Sequence, residues 1–575
     1  MSKNTKLELT WIGKEHRPRL EPRILLEDPA LSYHADARAT EGDLFDNRLI
    51  FGDNLLALKA LEQEFTGKIK CVFIDPPYNT GSAFTHYDDG VEHSVWLSLI
   101  RDRLVVLRHL LSEAGTLWVM ADDNEVHYLK VVCDELFGRV NFIGTIVWEK
   151  SDSPRMDAQF FSSRHDYILV YAKDIQSATL TRLPLTDDRL PSHYDKLDAE
   201  GRRFYLKPLR AMGGHEDSRA ARPSLYYPMI APDGAEVYPR RQDGTDGRWR
   251  WSRSKAESEK DRIEWVQGRS EWTPYFRIYA DMQSGRPAET IWFHSEVGSN
   301  RTSKAEVKAV VPDNTPFSTP KPERLIHRVL QLCTQPGDLV LDSFAGSGTT
   351  GAVAHKMGRQ WIMVELGDHC QSLIVPRLRK VIDGSDQGGI SKAVGWKGGG
   401  GFRYFRLAPT LLQEDRWGNL VINREYNPEM LAEAMCKHMG FIYAPSETVY
   451  WQHGHSTESD FLYVTTQTLT HEQLAHLSEE VGEGRTLLVC CAAFRGSPDA
   501  FANLTVRKIP NAVLHRCEWG RDDYSLNVAA LPSAPAGEPD GAPAAGTSGG
   551  GKSRRSPRKA VAAEPTLTLD LEDDP

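Results

Sequence analysis

Along the chain, short β-branched or leucine-rich runs alternate with segments whose apolar residues recur every three or four positions. Leu49-Ile50-Phe51 reads as a short strand running into Gly52-Asp53-Asn54, after which Leu55, Leu58 and Leu61 share one helical face. Ile69-Lys70-Cys71-Val72-Phe73-Ile74 reads as a buried strand. The spacing of Leu97, Ile100, Leu104 and Leu107 predicts a helix over 93–112, with Gly115 as its C-terminal cap. Thr116-Leu117-Trp118-Val119-Met120 is a strand, 125–137 a helix closed by Gly138, and 142–148 and 167–171 are further strands. Strands alternating with helices in this way indicate βαβ units and a mainly parallel sheet, hence an α/β fold.

The periodicity fades over 174–315, which is rich in Arg, Trp, Tyr and Gly. It resumes at Lys321-Pro322-Glu323-Arg324-Leu325 and continues through the strand Leu339-Val340-Leu341, a helix from Thr349 and the strand Trp361-Ile362-Met363-Val364-Glu365. Gly398-Gly399-Gly400-Gly401 reads as a hinge to a second, smaller α/β unit. There Asn427, Pro428 and Gly440 have the types expected of an N-cap, first turn and C-terminal cap. Thr470 and Gln473 fit a capping box, and Leu487-Leu488-Val489-Cys490-Cys491 is a buried strand. The expected division is an arm (1–42), two halves of one sheet domain (43–173 and 316–397) around an insertion (174–315), a C-terminal α/β domain (402–530) and an Ala/Pro/Gly-rich tail (531–575) expected to be disordered. The tail carries the basic cluster Lys552-Ser553-Arg554-Arg555 and ends acidic.

Composition narrows the picture. A chain of 575 residues is too long for one core. It has no apolar stretch of about 18 residues that could span a membrane and no apolar signal core at its start, so a cytoplasmic location is expected. The eight cysteines form no Cys-x-x-Cys pair, which argues for free thiols and against a zinc site. A net charge of -10 argues against indiscriminate nucleic-acid binding, so any such face must be local. Residues 201–310 carry 20 Lys and Arg against 15 Asp and Glu, a local excess of +5, together with Trp249, Trp251, Trp265, Trp272 and Trp292. Aromatics among arginines suit phosphates and unstacked bases, whereas the blander reading is a β-rich insertion with a tryptophan core.

Two stretches carry candidate chemistry. Asp75-Pro76-Pro77-Tyr78 follows the Ile69–Ile74 run, and two prolines cannot continue a sheet ladder. The strand end therefore presents a carboxylate, rigid backbone and an aromatic ring where open α/β sheets bind ligands. Asp342-Ser343-Phe344-Ala345-Gly346-Ser347-Gly348 follows another strand and opens a helix. Gly346-x-Gly348-x-x-Gly351 by itself serves a nicotinamide dinucleotide, a methyl donor or close packing equally well. The Asp-Pro-Pro-Tyr cluster discriminates, because hydride transfer has no need of it. An exocyclic amine has its lone pair delocalised into the base. A carboxylate at Asp75 and the carbonyl of Pro76 can accept its two N–H bonds, draw the nitrogen toward tetrahedral geometry and stabilise the positive charge that develops. Tyr78 can stack on a base that has left its duplex.

These motifs, with Asn79-Thr80-Gly81, Trp96-Leu97, Asp122-Asp123-Asn124-Glu125 and His165-Asp166-Tyr167-Ile168-Leu169-Val170-Tyr171, resemble those of the DNA amino-methyltransferases. The catalytic motif precedes the cofactor motif with an insertion between, as in the β class. Asn79-Thr80-Gly81 and Cys517-Glu518-Trp519-Gly520-Arg521-Asp522-Asp523-Tyr524 look most like modification subunits of type III restriction systems. The resemblance implies a Rossmann-like, S-adenosylmethionine-dependent methyltransferase sheet with an inserted target-recognition region and a smaller C-terminal α/β domain. Its catalytic residues would be Asp75, Pro76, Pro77 and Tyr78. Its cofactor residues would be Asp342, Phe344, Ala345, Gly346 and Gly348 around the methionine part, Glu365 at the ribose and Asp53 near the adenine, with no metal. Lys321 and Pro322 would begin the helix that packs on the cofactor. The expected partners are double-stranded DNA, a restriction or helicase subunit and a second copy of the chain.

Asp at position 75 leans toward adenine N6 over cytosine N4, both being exocyclic amines. An adaptor that reads DNA for a nuclease or helicase, and a nicotinamide oxidoreductase, are the readings from other classes.

Overall fold

The apolar runs meet in one sheet. The computed structural model describes residues 8–77, 89–184, 190, 192–212, 216–268, 271–282, 285–312, 317 and 319–525. Among them the sheet runs, in order, Leu25–Glu27, Gly401–Leu407, Asn47–Phe51, Gln360–Glu365, Leu339–Asp342, Ile69–Ile74, Leu111–Ala121, His165–Ala172, Phe142–Glu149 and Ile291–Trp292, with Tyr33–His34 paired to Gly401–Leu407. From Gly401–Leu407 to Leu111–Ala121 every neighbour is parallel, and His165–Ala172 runs antiparallel to both of its neighbours.

A parallel sheet must be covered on both faces, and alternation along each strand supplies two cores. Ile50, Val72, Ile74, Leu117, Val119, Leu341 and Val364 pack under the helices Asn54–Phe65, Asp89–Leu110 and Val126–Phe137. Their alternates Leu49, Cys71, Phe73, Trp118, Met120, Val340 and Met363 pack under Glu323–Cys333, Thr349–Lys356 and Val375–Ile382. The predicted caps of the C-terminal helices are present. Asn427 caps Pro428–Met439, Gly440 closes it at φ +81°, and Thr470 and Gln473 form a reciprocal capping box on His471–Val481. These helices flank a separate five-stranded sheet, Ile442–Tyr443, Gly454–His455, Asp460–Val464, Thr486–Cys491 and Leu504–Lys508. All eight cysteines are buried and free.

Several expectations need correction. Gly115 does not cap the preceding helix, which ends at Leu110; it lies inside the Leu111–Ala121 strand. A Cβ there would strike the carbonyl of Ile69, where the pairing with Ile69–Ile74 slips register.

The four glycines at 398–401 are a packed connection, not a hinge. Gly399 and Gly400 have φ +110° and +78°, and any side chain would collide with Asp43 and with His355. The strand they lead into, Gly401–Leu407, belongs to the main sheet, so 402 does not begin a separate unit. The arm is tied to the same edge through Leu25–Glu27 and Tyr33–His34.

The insertion is also shorter than 174–315. Leu183 and Arg286 exchange both backbone hydrogen bonds (2.9 and 2.8 Å), which marks its neck. Ile291–Trp292 joins the main sheet, and Asn300 bonds to the carbonyl of Lys150. Between those ends lies a small antiparallel sheet, Lys196–Leu197, Arg203–Pro208, Trp272–Tyr279 and Ile263–Gln267. Trp249 and Trp251 are buried beneath it, so their role is packing, and Trp292 is buried in the main sheet. No helix among the described residues is long and apolar enough to cross a membrane.

Candidate active site

Strand order places the site. Leu339–Asp342 and Ile69–Ile74 are parallel neighbours, but the chain leaves them in opposite directions across the sheet. Their carboxyl ends therefore splay apart at a topological switch point, where α/β sheets open a crevice. Asp342 and Asp75 stand at those two ends. The cleft beyond them has a volume of about 1270 Å³ and is lined by both motifs.

The glycine loop is bound on every side. Asp342, almost fully buried, accepts the N–H of Phe344 (2.9 Å) and the Thr350 hydroxyl (2.6 Å), which folds the turn back on the strand. Burial pushes its carboxyl up to about 7, and the nearby carboxylates of Asp75 and Glu365 act in the same direction. Gly346 and Gly348 have φ +54° and +75°, a region that costs other residues strain. Gly351 is a packing glycine, since a side chain there would collide with Met363. Beneath the loop, buried Arg377 donates to the Ser347 carbonyl (3.1 Å), the Thr349 hydroxyl (2.9 Å) and Glu323 (3.0 Å). Glu323 and Asp386 in turn hold Lys356. Above it, the Phe317 ring lies 5.1 Å from the His369 ring and covers Gly346.

Glu365 ends the next strand, and its two oxygens accept the N–H groups of Gly346 (2.7 Å) and Gly367 (2.9 Å). Oε1, which takes the Gly367 N–H, also lies 3.3 Å from His369 Nε2, whereas Oε2 keeps a second lone pair for a ligand hydroxyl. Phe344 and Ala345 line the same wall.

The Asp75 side is built differently. Oδ2 pairs with Lys321 Nζ, while Oδ1 is buried with no hydrogen-bond partner among the described residues. An unpaired buried carboxylate oxygen is costly and points to a donor that arrives with a ligand. The proline backbone is pinned where Trp96 Nε1 donates to the Pro77 carbonyl (2.9 Å). Behind Asp75, Asp166 is buried and bonded to Lys150 (2.6 Å); burial raises its carboxyl despite that lysine. Tyr78 and the Asn-Thr-Gly after it lie outside the described residues.

A sequence profile described as DNA methylase matches residues 69–375, which span both motifs, the insertion between them and the cleft they line. The chain belongs to this DNA methylase family. It is 30% identical over 421 residues to a protein of Haemophilus influenzae described as a probable type III restriction-modification enzyme HindVI Mod subunit, covering 65% of this chain and 55% of that one. It is 29% identical to the type III restriction-modification enzyme EcoPI Mod subunit of Escherichia phage P1, over 60% of each. It is 30% identical to the type II methyltransferase M.KpnI of Klebsiella pneumoniae, over 54% of this chain and 77% of that one. The chain thus spans somewhat over half the length of the first two.

Within this cleft, Asp53 is the expected site residue least available to a ligand. It lines the cleft, but its Oδ1 caps the helix Asn54–Phe65 and its Oδ2 accepts from Arg103 (3.4 Å) and the Tyr524 N–H (2.9 Å). Local sequence reasoning also missed three partners. Lys321 was expected only at the start of a helix, yet it sits on Asp75. Arg103 joins Asp53, Asn54 and the Tyr524 carbonyl (3.2 Å). Tyr524 is buried in the core beside the cleft, where Ser525 lines the wall. The Arg521-Asp522-Asp523-Tyr524 stretch was the available signal, but nothing local indicated where it docks.

Proposed function

We propose that this methylase transfers a methyl group from S-adenosylmethionine to the N6 amine of adenine in double-stranded DNA, at a defined sequence and on a base turned out of the duplex. The observation that carries the reading is Asp75, whose buried Oδ1, unpartnered among the described residues, shares one cleft with the glycine loop. The residues fit the cofactor. Glu365 Oε2 has spare acceptor capacity for ribose hydroxyls, Gly346 and Gly348 leave the loop backbone open to close approach, and buried Ser343 Oγ on the cleft wall has no partner among the described residues. When bound, S-adenosylmethionine supplies an electrophilic methyl group on sulfur.

The chain's own residues do the rest. Asp75 Oδ1 accepts an N–H of the target amine, which draws the lone pair out of conjugation with the base. The same carboxylate faces the positive charge that grows on nitrogen. Lys321 holds the second oxygen and fixes the direction of the first. Adenine is favoured over cytosine because position 75 is Asp. The insertion, 184–285, supplies the sequence reading. Trp249 and Trp251 are core, so its surface arginines are the residues to make those contacts.

The protein's setting on this reading is a restriction system. Its partners are double-stranded DNA, a restriction or helicase subunit and a second copy of the chain. The Mod-subunit descriptions of two relatives support that setting.

The test is to incubate the purified protein with S-adenosylmethionine and unmethylated plasmid, digest to nucleosides and identify the product by mass. N6-methyldeoxyadenosine is expected, with a single motif on long-read sequencing. N4-methyldeoxycytidine would replace the base assignment, and no methylated nucleoside of either kind would sink the reading.

A further inference from the structure

The hairpin loop between the strands Phe142–Glu149 and His165–Ala172 presents apolar side chains to solvent beside the cleft. Met156, Phe160 and Phe161 are 92%, 85% and 96% exposed. Two neighbouring, almost fully exposed phenylalanines are unusual on a protein surface and mark a contact. The loop that carries them is internally braced. Lys150 and Ser151 donate to the Arg164 carbonyl (2.8 and 3.3 Å), the Arg164 side chain returns to the Ser151 carbonyl (3.2 Å), and the Arg155 N–H reaches Ser162 Oγ (2.6 Å). Bracing of this kind holds the rings outward.

Phe161 also lines the mouth of the cleft that contains Asp75. Three side chains cover too little area for a stable protein interface, which takes about 800 Å² per partner. They are of the right size to enter a base stack, as apolar wedges do at kinked or opened steps. Arg155 and Lys304 line the same mouth and can meet phosphates; Asp157 lies there too, and Asp152 is paired with Arg301 (3.0 Å).

We propose that Phe161, backed by Phe160, is a wedge that occupies the place in the DNA stack left by the base taken into the Asp75 cleft. The proposal rests on the methyltransferase reading and adds a separate contact to it. A target base can reach Asp75, half-buried at the floor of the cleft, only by leaving its stack, and the gap it leaves lies at the mouth where Phe161 stands. A ring that fills the gap makes the open state cheaper and slows the return of the base. The wedge therefore acts on base opening and makes no contact with the methyl donor.

The test compares Phe161→Ala and Phe161→Trp with the unaltered protein on two duplexes: one with the target base correctly paired, one with the same base mispaired and so already loosened. On the paired duplex Phe161→Ala should slow methylation by about tenfold, because opening costs a few kcal/mol and the wedge offsets part of it. On the mispaired duplex its rate should return to within roughly twofold of the unaltered protein, since a loosened base is cheaper to extrude. Phe161→Trp should keep most of the rate on both, and S-adenosylmethionine affinity should be unchanged throughout. Equal losses on both duplexes, or no loss on either, would overturn the wedge while leaving the methyltransferase reading intact. A change of oligomeric state with unchanged rates would reassign the loop to a protein contact. An unaltered protein that methylates neither duplex would remove the reading on which the wedge depends.

Discussion

The two halves of the cleft are built on opposite principles. On the glycine-loop side the carboxylates and the loop backbone are tied within the protein: Asp342 by Phe344 and Thr350, Glu365 by Gly346 and Gly367, the loop carbonyl of Ser347 by Arg377. On the Asp75 side one carboxylate oxygen is left without a partner among the described residues, and the other is held by a lysine 246 residues away in sequence. A surface that must bind a ligand in one pose gains from being rigid before the ligand arrives. A surface that must act on an incoming amine gains from an unused acceptor aimed at it. On the proposed reading, this difference marks the glycine loop as the holding half and Asp75 as the acting half.

Predictions follow from trying to exchange these roles. The largest effect should come from Asp75→Ala. Removing the carboxylate that accepts from the amine should lower the rate of methyl transfer by about 10²–10³-fold or more, while S-adenosylmethionine affinity, measured by calorimetry, stays close to that of the unaltered protein. A comparable loss of cofactor affinity would erase the division between the halves.

Gly346→Val should do the reverse. A β-branched residue at φ +54°, with Phe317 already 3.2 Å from where a Cβ would sit, carries strain of about 1–3 kcal/mol, or roughly a 5- to 100-fold loss of cofactor affinity. Unchanged binding would show that the loop is not the cofactor cradle.

Lys321→Met should have an intermediate effect. It removes the cation that fixes Asp75 but keeps the length of the side chain, so the catalytic rate should fall by about tenfold with little change in the KM for S-adenosylmethionine. A change confined to the cofactor KM would place Lys321 with the holding half.

The smallest effect concerns pH and Asp342. Its folded carboxyl stands at about 7, above the value near 3.8 of an unburied aspartate, because burial opposes its charge. A carboxyl raised on folding contributes stability that is full below the unfolded value and fades as pH rises through the folded one. Asp342→Asn keeps an acceptor and cannot ionise. Between about pH 5 and about pH 8 the Tm of the unaltered protein should therefore fall relative to that of Asp342→Asn, by a few degrees in a thermal scan of the cofactor-free protein. A Tm gap independent of pH would mean that Asp342 ionises in the fold without penalty.

Much of the fold was legible because its signals are local. The Ile69–Ile74 strand, the loop opening the helix at Thr349, and the caps at Asn427, Gly440 and Thr470 each depend on a few neighbouring residues, and each was read correctly. The misreadings share one cause. Gly115 resembles a helix cap, and the glycines at 398–401 resemble a hinge. In both places glycine is needed because distant groups, Ile69 in one and Asp43 and His355 in the other, come too close for a side chain. The insertion's neck was misplaced because Leu183 and Arg286 meet only through long-range pairing.

By itself, then, the sequence determined the two motifs, their α/β setting and the chemistry of a carboxylate at a proline-terminated strand end. Periodicity and turn chemistry are properties of adjacent residues and survive in a one-dimensional string. Only the tertiary structure decided that Asp342 and Asp75 stand at one switch point, that Lys321 rather than solvent faces Asp75, and that Asp53 is occupied by Arg103 and the backbone of Tyr524. These facts depend on strand order and on contacts between residues tens to hundreds of positions apart. Such contacts form because both faces of a parallel sheet must be buried, and that requirement leaves no periodic mark on the residues it brings together.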